Sequence, residues 1–126
     1  MNLYEIRSDS IVHRIGGSDV DNLRLKTLEE NLVPPGISLF ACDTPEEAAA
    51  QIRKAFPHAT RLLEASRTVG SATVESLRQI GFDVIADPTK RFSNHVRLIH
   101  PNGIAGFNIT HLRRLSETFR DTTWSE

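Results

Sequence analysis

The sequence contains a single cysteine, Cys42, in 126 residues. One cysteine cannot form an internal disulfide, and it excludes every zinc site that needs several cysteine ligands. Cys42 ends the apolar run at residues 37–42, where an unpaired cysteine typically packs as a small hydrophobic side chain and is rarely a nucleophile. We therefore expect neither a disulfide scaffold nor a cysteine-based metal centre.

Long apolar runs are also missing. No run approaches the roughly 18 residues that a membrane span needs. The first ten residues carry acids and alternating polarity, where a secretory signal would have a basic and then an apolar segment. We expect a cytoplasmic protein with no membrane contact, and the length predicts one domain.

Acidic residues are absent from residues 88–116, although the whole chain has a net charge of −1. This stretch carries five cationic residues and three of the five histidines: Lys90, Arg91, Arg97, Arg113, Arg114, His95, His100 and His111. A local positive patch on a nearly neutral protein indicates one anionic ligand or partner more than general nucleic-acid coating. We therefore take residues 88–116 as the functional stretch.

The clearest predicted helix begins at Thr44. Thr44 supplies a capping hydroxyl, Pro45 suits the first helical position, and Glu47 completes a capping box. We interpret Glu46 and Glu47 as capping residues, with no catalytic role. Pro57 ends this helix.

The remaining elements follow from alternation, helical spacing and turn residues. Strands are predicted at residues 3–7, 11–15, 37–42, 82–86, 95–100 and 104–107, the last after a hairpin turn at residues 101–103. A further helix is predicted at residues 59–67, with Leu62 and Leu63 facing inward. After a break at Val69-Gly70 another is predicted at residues 71–80, and the last helix begins after a cap at Asn108 or Thr110. We predict an α+β class with a small, mainly antiparallel sheet and three to four helices, in a single domain at residues 1–119 followed by a polar tail at residues 120–126.

Side chains on the predicted strand 95–100 alternate between its faces. Val96 and Leu98 are the better core pair, so we expect His95 and Arg97 to point outward together, about 7 Å apart. A histidine can transfer a proton and an arginine can hold phosphate oxygens, a pairing that suits phosphodiester cleavage. A solvated surface with no catalytic role remains an alternative interpretation of the same pattern.

Other cationic groups could assist that pair. His111 and Arg114 lie at i and i+3 on the last predicted helix, with Arg113 beside them. His100 precedes Pro101, so a structural role at a turn competes with a catalytic one. The histidine spacings and the lack of carboxylates do not form a metal-binding pattern, so no metal is expected.

Residues 76–119 resemble the HicA-type bacterial ribonuclease toxins. The matching pieces are Leu77 to Phe82, Asn94-His95, and His100-Pro101-Asn102-Gly103. That resemblance implies a double-stranded-RNA-binding-like domain in which His95 is catalytic. Asn94 stands where the family usually has serine.

Residues 3–56 resemble ADP-ribosyltransferase-like toxin domains. Those domains place an arginine on the first strand, matched by Arg7 or Arg14, and a serine on a later strand that a helix follows, matched by Ser38. The resemblance implies NAD as the substrate that is cleaved. No Gln-x-Glu or Glu-x-Glu motif follows in the chain.

Three functions follow as hypotheses. The first is a compact bacterial toxin-type domain that cleaves RNA without a cofactor. Its acid–base groups would be His95, His111 and His100, and its phosphate contacts would be Arg97, Arg113, Arg114, Lys90 and Arg91. The second is an ADP-ribosyltransferase-like domain that uses NAD. The third is a non-enzymatic module whose cationic face binds an acidic partner. The expected partners are RNA and a cognate antitoxin or immunity protein.

Overall fold

The computed structural model describes residues 5–124, which form one six-stranded antiparallel sheet with helices on both faces. The elements are β1 (Ile11–Ile15), α1 (Val20–Leu23), α2 (Thr27–Glu30), β2 (Gly36–Ala41), α3 (Pro45–Ala55), α4 (Thr60–Ala65), β3 (Thr68–Thr73), α5 (Val74–Gln79), β4 (Asp83–Ala86), β5 (His95–Ile99), a 3-10 helix (Gly103–Phe107), α6 (Ile109–Thr118) and β6 (Arg120–Thr123). The strand order is β4-β5-β2-β1-β3-β6. The predicted α+β class with an antiparallel sheet is confirmed, and the helices outnumber the three to four expected. No helix within residues 5–124 has the length and apolar content to cross a bilayer.

One face of the sheet carries the main hydrophobic core. Val12, Leu39 and Val96 lie in β1, β2 and β5 and are fully buried. Leu112 and Leu115 of α6 pack into the same cluster. Burying a side chain of this size stabilises the fold by about 1.5–3 kcal/mol.

The opposite face carries polar and aromatic side chains. His13, Phe40 and His95 are cross-strand neighbours in β1, β2 and β5, so they form a row on that face. The small side chains of Ala48 and Ala49 let α3 approach the β1–β3 side of this face closely. The candidate site lies on this face, beside α3.

The start of α3 agrees with the sequence prediction in its Thr44 cap and its proline, whereas the predicted capping box does not form there. The Thr44 hydroxyl accepts a hydrogen bond from the backbone N–H of Glu47, and Pro45 occupies the first turn. The Glu47 carboxylate in turn accepts from the Thr44 hydroxyl at 3.3 Å. These contacts within the first turn give Thr44 and Glu47 a structural role at the start of the helix.

The predicted break at Val69-Gly70 and the predicted helix start at Ser71 both lie in β3, and the helix predicted at residues 71–80 begins only at Val74, as α5. This strand lies inside the sheet, between β1 and β6. A side chain at Gly70 would crowd this position, because its Cβ would lie 3.0 Å from an oxygen of the Asp121 carboxylate. The following helix is capped by Thr73, whose hydroxyl accepts from the Ser76 N–H.

Residues 104–107 do not return as a strand, because they form the 3-10 helix. Gly106 packs directly against the ring of His100, where a Cβ would come within 2.1 Å of a ring atom. This contact turns the chain under the end of β5. The hairpin prediction for residues 101–107 is therefore wrong.

Both ends of the predicted domain differ from expectation. Residues 120–123, predicted as a polar tail, form the edge strand β6 and pair with β3. Of the strand predicted at residues 3–7, residues 5–7 are not in a strand and residues 3–4 lie outside the described residues. Leu62, predicted to face inward, is 36% exposed.

Candidate ligand site

A cavity of about 530 Å³ opens on the face that carries His95, between the sheet and helices α3 and α4. We call it the first cavity. Its volume falls within the roughly 300–1,000 Å³ of small-molecule sites. Its lining is drawn from residues distant in sequence: Arg14, Ile15, Asn22, Lys26, Ser38, Phe40, Ile52, Phe56, Leu62, Ala65, Thr89, Arg91, Phe92 and His95.

Three phenylalanines form an aromatic wall of the first cavity. The rings of Phe40 and Phe92 meet edge to face with centroids 5.0 Å apart, and Phe56 lies 6.1 Å from Phe92. The Arg91 guanidinium lies over the Phe56 ring at 4.7 Å from its centroid. This wall offers both flat apolar surface and a cation, which suits a ligand with planar rings and negative charge.

Arg14 braces another wall of the first cavity. Strands β1 and β2 pair only at Val12–Ala41 and His13–Phe40, and Arg14 reaches across the gap beyond them. Its guanidinium donates to the carbonyl of Ser38 at 2.9 Å and twice to the carbonyl of Asn22 at 2.9 and 2.7 Å. Burial lowers the pKa of Arg14, and the nearby carboxylate of Glu29 opposes that shift.

The Glu29 carboxylate fixes the same wall from α2. It accepts from the backbone N–H of Lys26 at 2.9 Å and from that of Ser38 at 3.2 Å. It also lies 3.8 Å from Arg14. The Ser38 hydroxyl forms no hydrogen bond within residues 5–124, so it is available to a ligand.

His95 presents one ring nitrogen to the first cavity. Its Nδ1 lies 2.7 Å from the backbone carbonyl of Asp87 and 3.4 Å from the Asp87 carboxylate. A carbonyl only accepts, so Nδ1 carries the proton and Nε2 is left as an acceptor. Within residues 5–124, Nε2 has no hydrogen-bond partner, and it is not fully buried. His95 can therefore take a proton from a ligand.

Arg97 shares the face of His95, as alternation predicted, but that face is covered and each residue is only 9% exposed. The Arg97 guanidinium lies 3.0 Å from the Asp87 carboxylate and donates to the carbonyl of Pro34 at 2.8 Å. The expected outward pair on open surface is therefore not formed. Arg97 holds the segment around Asp87, which in turn positions His95.

His100 directly follows β5 at its other end, about 17 Å from His95 for five residues of strand, and His111 of α6 lies beside His100. Their rings stack with centroids 5.0 Å apart, and Phe82 meets both edge to face. Burial, and then the neighbouring His111, lower the pKa of His100. His111 Nδ1 donates to the carbonyl of Gly106 at 2.8 Å, so this pair fixes the turn under β5.

The predicted cationic contacts divide into two groups. Arg91 lies on the first cavity, and Lys90 is exposed beside it. Arg113 and Arg114 are exposed on α6, the helix that packs against the other face of the sheet. The structure therefore brings His95, Arg97, Arg91 and Lys90 into one region and separates them from Arg113 and Arg114.

His13 is a buried polar group outside the first cavity. Its Nε2 donates to the carbonyl of Cys42 at 2.9 Å, and its Nδ1 accepts from the Ser71 hydroxyl at 2.7 Å. Burial lowers its pKa, an effect that the Cys42 hydrogen bond and the Glu47 and Glu46 charges partly offset. His13 thus ties β1 to β3 and to the end of β2 as a neutral ring.

Several lining residues carried no sequence signal. Phe40 belongs to an apolar run typical of a core, Phe56 stands at the end of a predicted helix beside Pro57, and Lys26 is one of several isolated surface charges. Among residues 5–124 no three His, Cys, Asp or Glu side chains cluster as metal ligands would. Comparison with protein-family models, curated proteins and solved structures gave no match for this chain.

Proposed function

We propose that the first cavity binds NAD and that the protein transfers its ADP-ribosyl group, as the resemblance to ADP-ribosyltransferase-like toxin domains implies. One observation carries the proposal. Arg14 from the first strand and Ser38 from the second meet at the wall of a nucleotide-sized cavity, and α3 follows the strand that holds Ser38. Of the two arginines that the resemblance leaves open, Arg14 is the one at this wall.

The chemistry of the lining supports a nucleotide. The rings of Phe40, Phe56 and Phe92 provide stacking surface for the planar rings of NAD. Lys26 and Arg91 line the first cavity, and no acidic residue does, so negatively charged phosphates meet cations and no carboxylate there. Within residues 5–124 neither cation is engaged in an ion pair.

His95 supplies the acid–base group. NAD provides an ADP-ribosyl group on a glycosidic bond, and nicotinamide leaves with the bonding electron pair as a neutral molecule. The new bond joins the freed ribosyl carbon to an acceptor atom, whose proton passes to Nε2 of His95. Because no carboxylate lines the first cavity, proton transfer falls to His95.

The experiment incubates the protein with labelled NAD and a bacterial lysate, and follows nicotinamide release and label transfer. We expect both, and we expect His95→Ala to lower the rate by about 10²–10⁴-fold, the usual contribution of a positioned acid–base group. His58→Ala is the matched control, because His58 is an exposed imidazole outside the first cavity.

Binding and chemistry can be separated with the same protein. NAD should raise the melting temperature of the wild type and of His95→Ala, since the aromatic wall and the cations remain in place. If NAD causes neither label transfer nor thermal stabilisation, the proposal is wrong. If His95→Ala transfers label as fast as the wild type, the role given to His95 is wrong.

RNA cleavage is the second candidate function, because Nε2 of His95 is accessible beside two unpaired cations. Arg97 cannot hold a phosphate without leaving Asp87 and Pro34, so Arg91 and Lys26 take that part. Purified protein should then degrade total RNA at neutral pH, and His95→Ala should not. In either reaction the protein acts as a bacterial toxin whose partner is an antitoxin or immunity protein.

A further inference from the structure

A second cavity of about 450 Å³ lies beside the first. Its lining consists of Gln51, Lys54 and Ala55 from α3 and residues 91–94 from the segment before β5. Arg91 and Phe92 line both cavities and so form a shared wall between them. A molecule bound in the second cavity would therefore lie next to the ligand of the first.

The second cavity is cationic. Lys54 and Arg91 line it, and no acidic residue does. In the described part of the chain, neither Lys54 nor Arg91 is engaged in an ion pair, and the Arg91 guanidinium lies over the Phe56 ring. Two exposed cations beside a concavity without carboxylates favour a phosphate-bearing ligand.

The remaining lining is polar and ordered. The side-chain amides of Gln51 and Asn94 bond to each other twice, at 2.9 and 3.2 Å, and Asn94 also donates to the carbonyl of Ala41 at 2.8 Å. The shared wall is held by a turn in which the Thr89 hydroxyl accepts from the Phe92 N–H at 3.0 Å. A ligand would meet a preformed surface with a partly exposed aromatic ring and two hydrogen-bonded amides.

We propose that the second cavity binds a single-stranded nucleic acid, with Lys54 and Arg91 on its phosphates and Phe92 against a base. Single-stranded nucleic acids are bound by this combination of a cationic groove and aromatic side chains. A phosphopeptide would use the cations but not the aromatic ring. The next step rests on the proposed function: the bound strand is the acceptor for the ADP-ribosyl group delivered from the first cavity.

Fluorescence anisotropy with a labelled single-stranded RNA of about 10 nucleotides, a length within known site sizes, tests the inference. Lys54→Gln removes one charge from the second cavity only. We expect several-fold weaker binding and a slope of log affinity against log salt that is smaller by about 0.7, the value for one phosphate contact on a single strand. NAD-induced stabilisation should be unchanged in this variant.

Arg120→Gln is the matched control. It removes the same charge from the exposed edge strand β6, four strands and about 19 Å from β5. The inference is overturned if the wild type does not bind RNA at low salt, or if Lys54→Gln and Arg120→Gln bind equally well. Preferential binding of a phosphoserine peptide over RNA would also overturn it.

The two proposals fail separately. If RNA binding depends on Lys54 but NAD neither binds nor is cleaved, the proposed function fails and the nucleic-acid site stands. If NAD is cleaved but RNA binding is absent or indifferent to Lys54, the proposed function stands and the second cavity is not the acceptor site.

Discussion

Glu29→Gln is the substitution that most directly tests the brace at the first cavity. Glu29 accepts from the N–H groups of Lys26 and Ser38 and faces Arg14, and the side chains of Arg14 and Glu29 are 7% and 12% exposed. Glutamine has one oxygen where glutamate has two. One backbone N–H must therefore lose its acceptor and face an NH₂ donor, and Arg14 loses its counter-charge.

The magnitude follows from those contacts. An N–H left without an acceptor costs about 1–3 kcal/mol where it is partly buried, as at Ser38, and less at the exposed Lys26. Loss of the counter-charge at 3.8 Å adds about 1 kcal/mol, less than for a fully buried pair in direct contact. We expect Glu29→Gln to lower the free energy of unfolding by about 1–4 kcal/mol, or the melting temperature by about 3–20 °C for a domain of this size.

Glu30→Gln provides a matched control, since Glu30 is the exposed next residue of α2 and makes no ion pair within residues 5–124. Urea unfolding of both variants, followed by circular dichroism, gives the difference directly. If the two free energies of unfolding agree within about 0.5 kcal/mol, the normal scatter for surface substitutions, Glu29 does not brace this wall.

Three further predictions concern other parts of the fold. Gly106→Ala should lower the free energy of unfolding in urea by about 1–3 kcal/mol, because its Cβ would overlap the His100 ring. Adding His100→Ala should restore part of that free energy, and no restoration would contradict the packing. Burial lowers the pKa values of His13 and His100, so the folded protein favours their neutral rings. The free energy of unfolding should therefore be largest above about pH 6.5 and should fall as the pH drops toward the folded-state pKa values. Unfolding free energies that stay constant from about pH 7.5 to 5 would contradict the neutral rings. Burial raises the pKa of the Cys42 thiol to about 11, so iodoacetamide at pH 7.5 should label the folded protein far more slowly than the protein in urea, and equal rates would refute it.

Elements with strong local chemistry were predictable from the sequence. Thr44, Pro45 and Glu47 mark the start of α3 through contacts within one helical turn, and alternation marks β1 and β5. β3 was not predictable, because Gly70 and Ser71 lack β-branched bulk and gain their strand conformation from β1 and β6. β6 was not predictable for a similar reason. Its residues are polar, and they gain their strand conformation by pairing with β3 at the edge of the sheet.

The candidate site was predictable only in part. The sequence indicated His95 and its shared face with Arg97, since alternation within one strand is a local property. It did not indicate that α3 and α4 line a cavity on that face, or that Asp87 binds Arg97, which lies ten residues further along the chain. The convergence of Arg14, Ser38 and Phe92 depends on strand order, which local patterns do not specify.

Amide NMR spectra of the ¹⁵N-labelled protein, recorded as NAD is added, test the central claim most directly. We predict shifts concentrated at the first cavity, at Ser38, Phe40, Phe92 and His95, with the amides of His111 and its neighbours unchanged. No shifts at saturating NAD, or shifts centred on His100 and His111, would contradict the assignment of the first cavity as the nucleotide site.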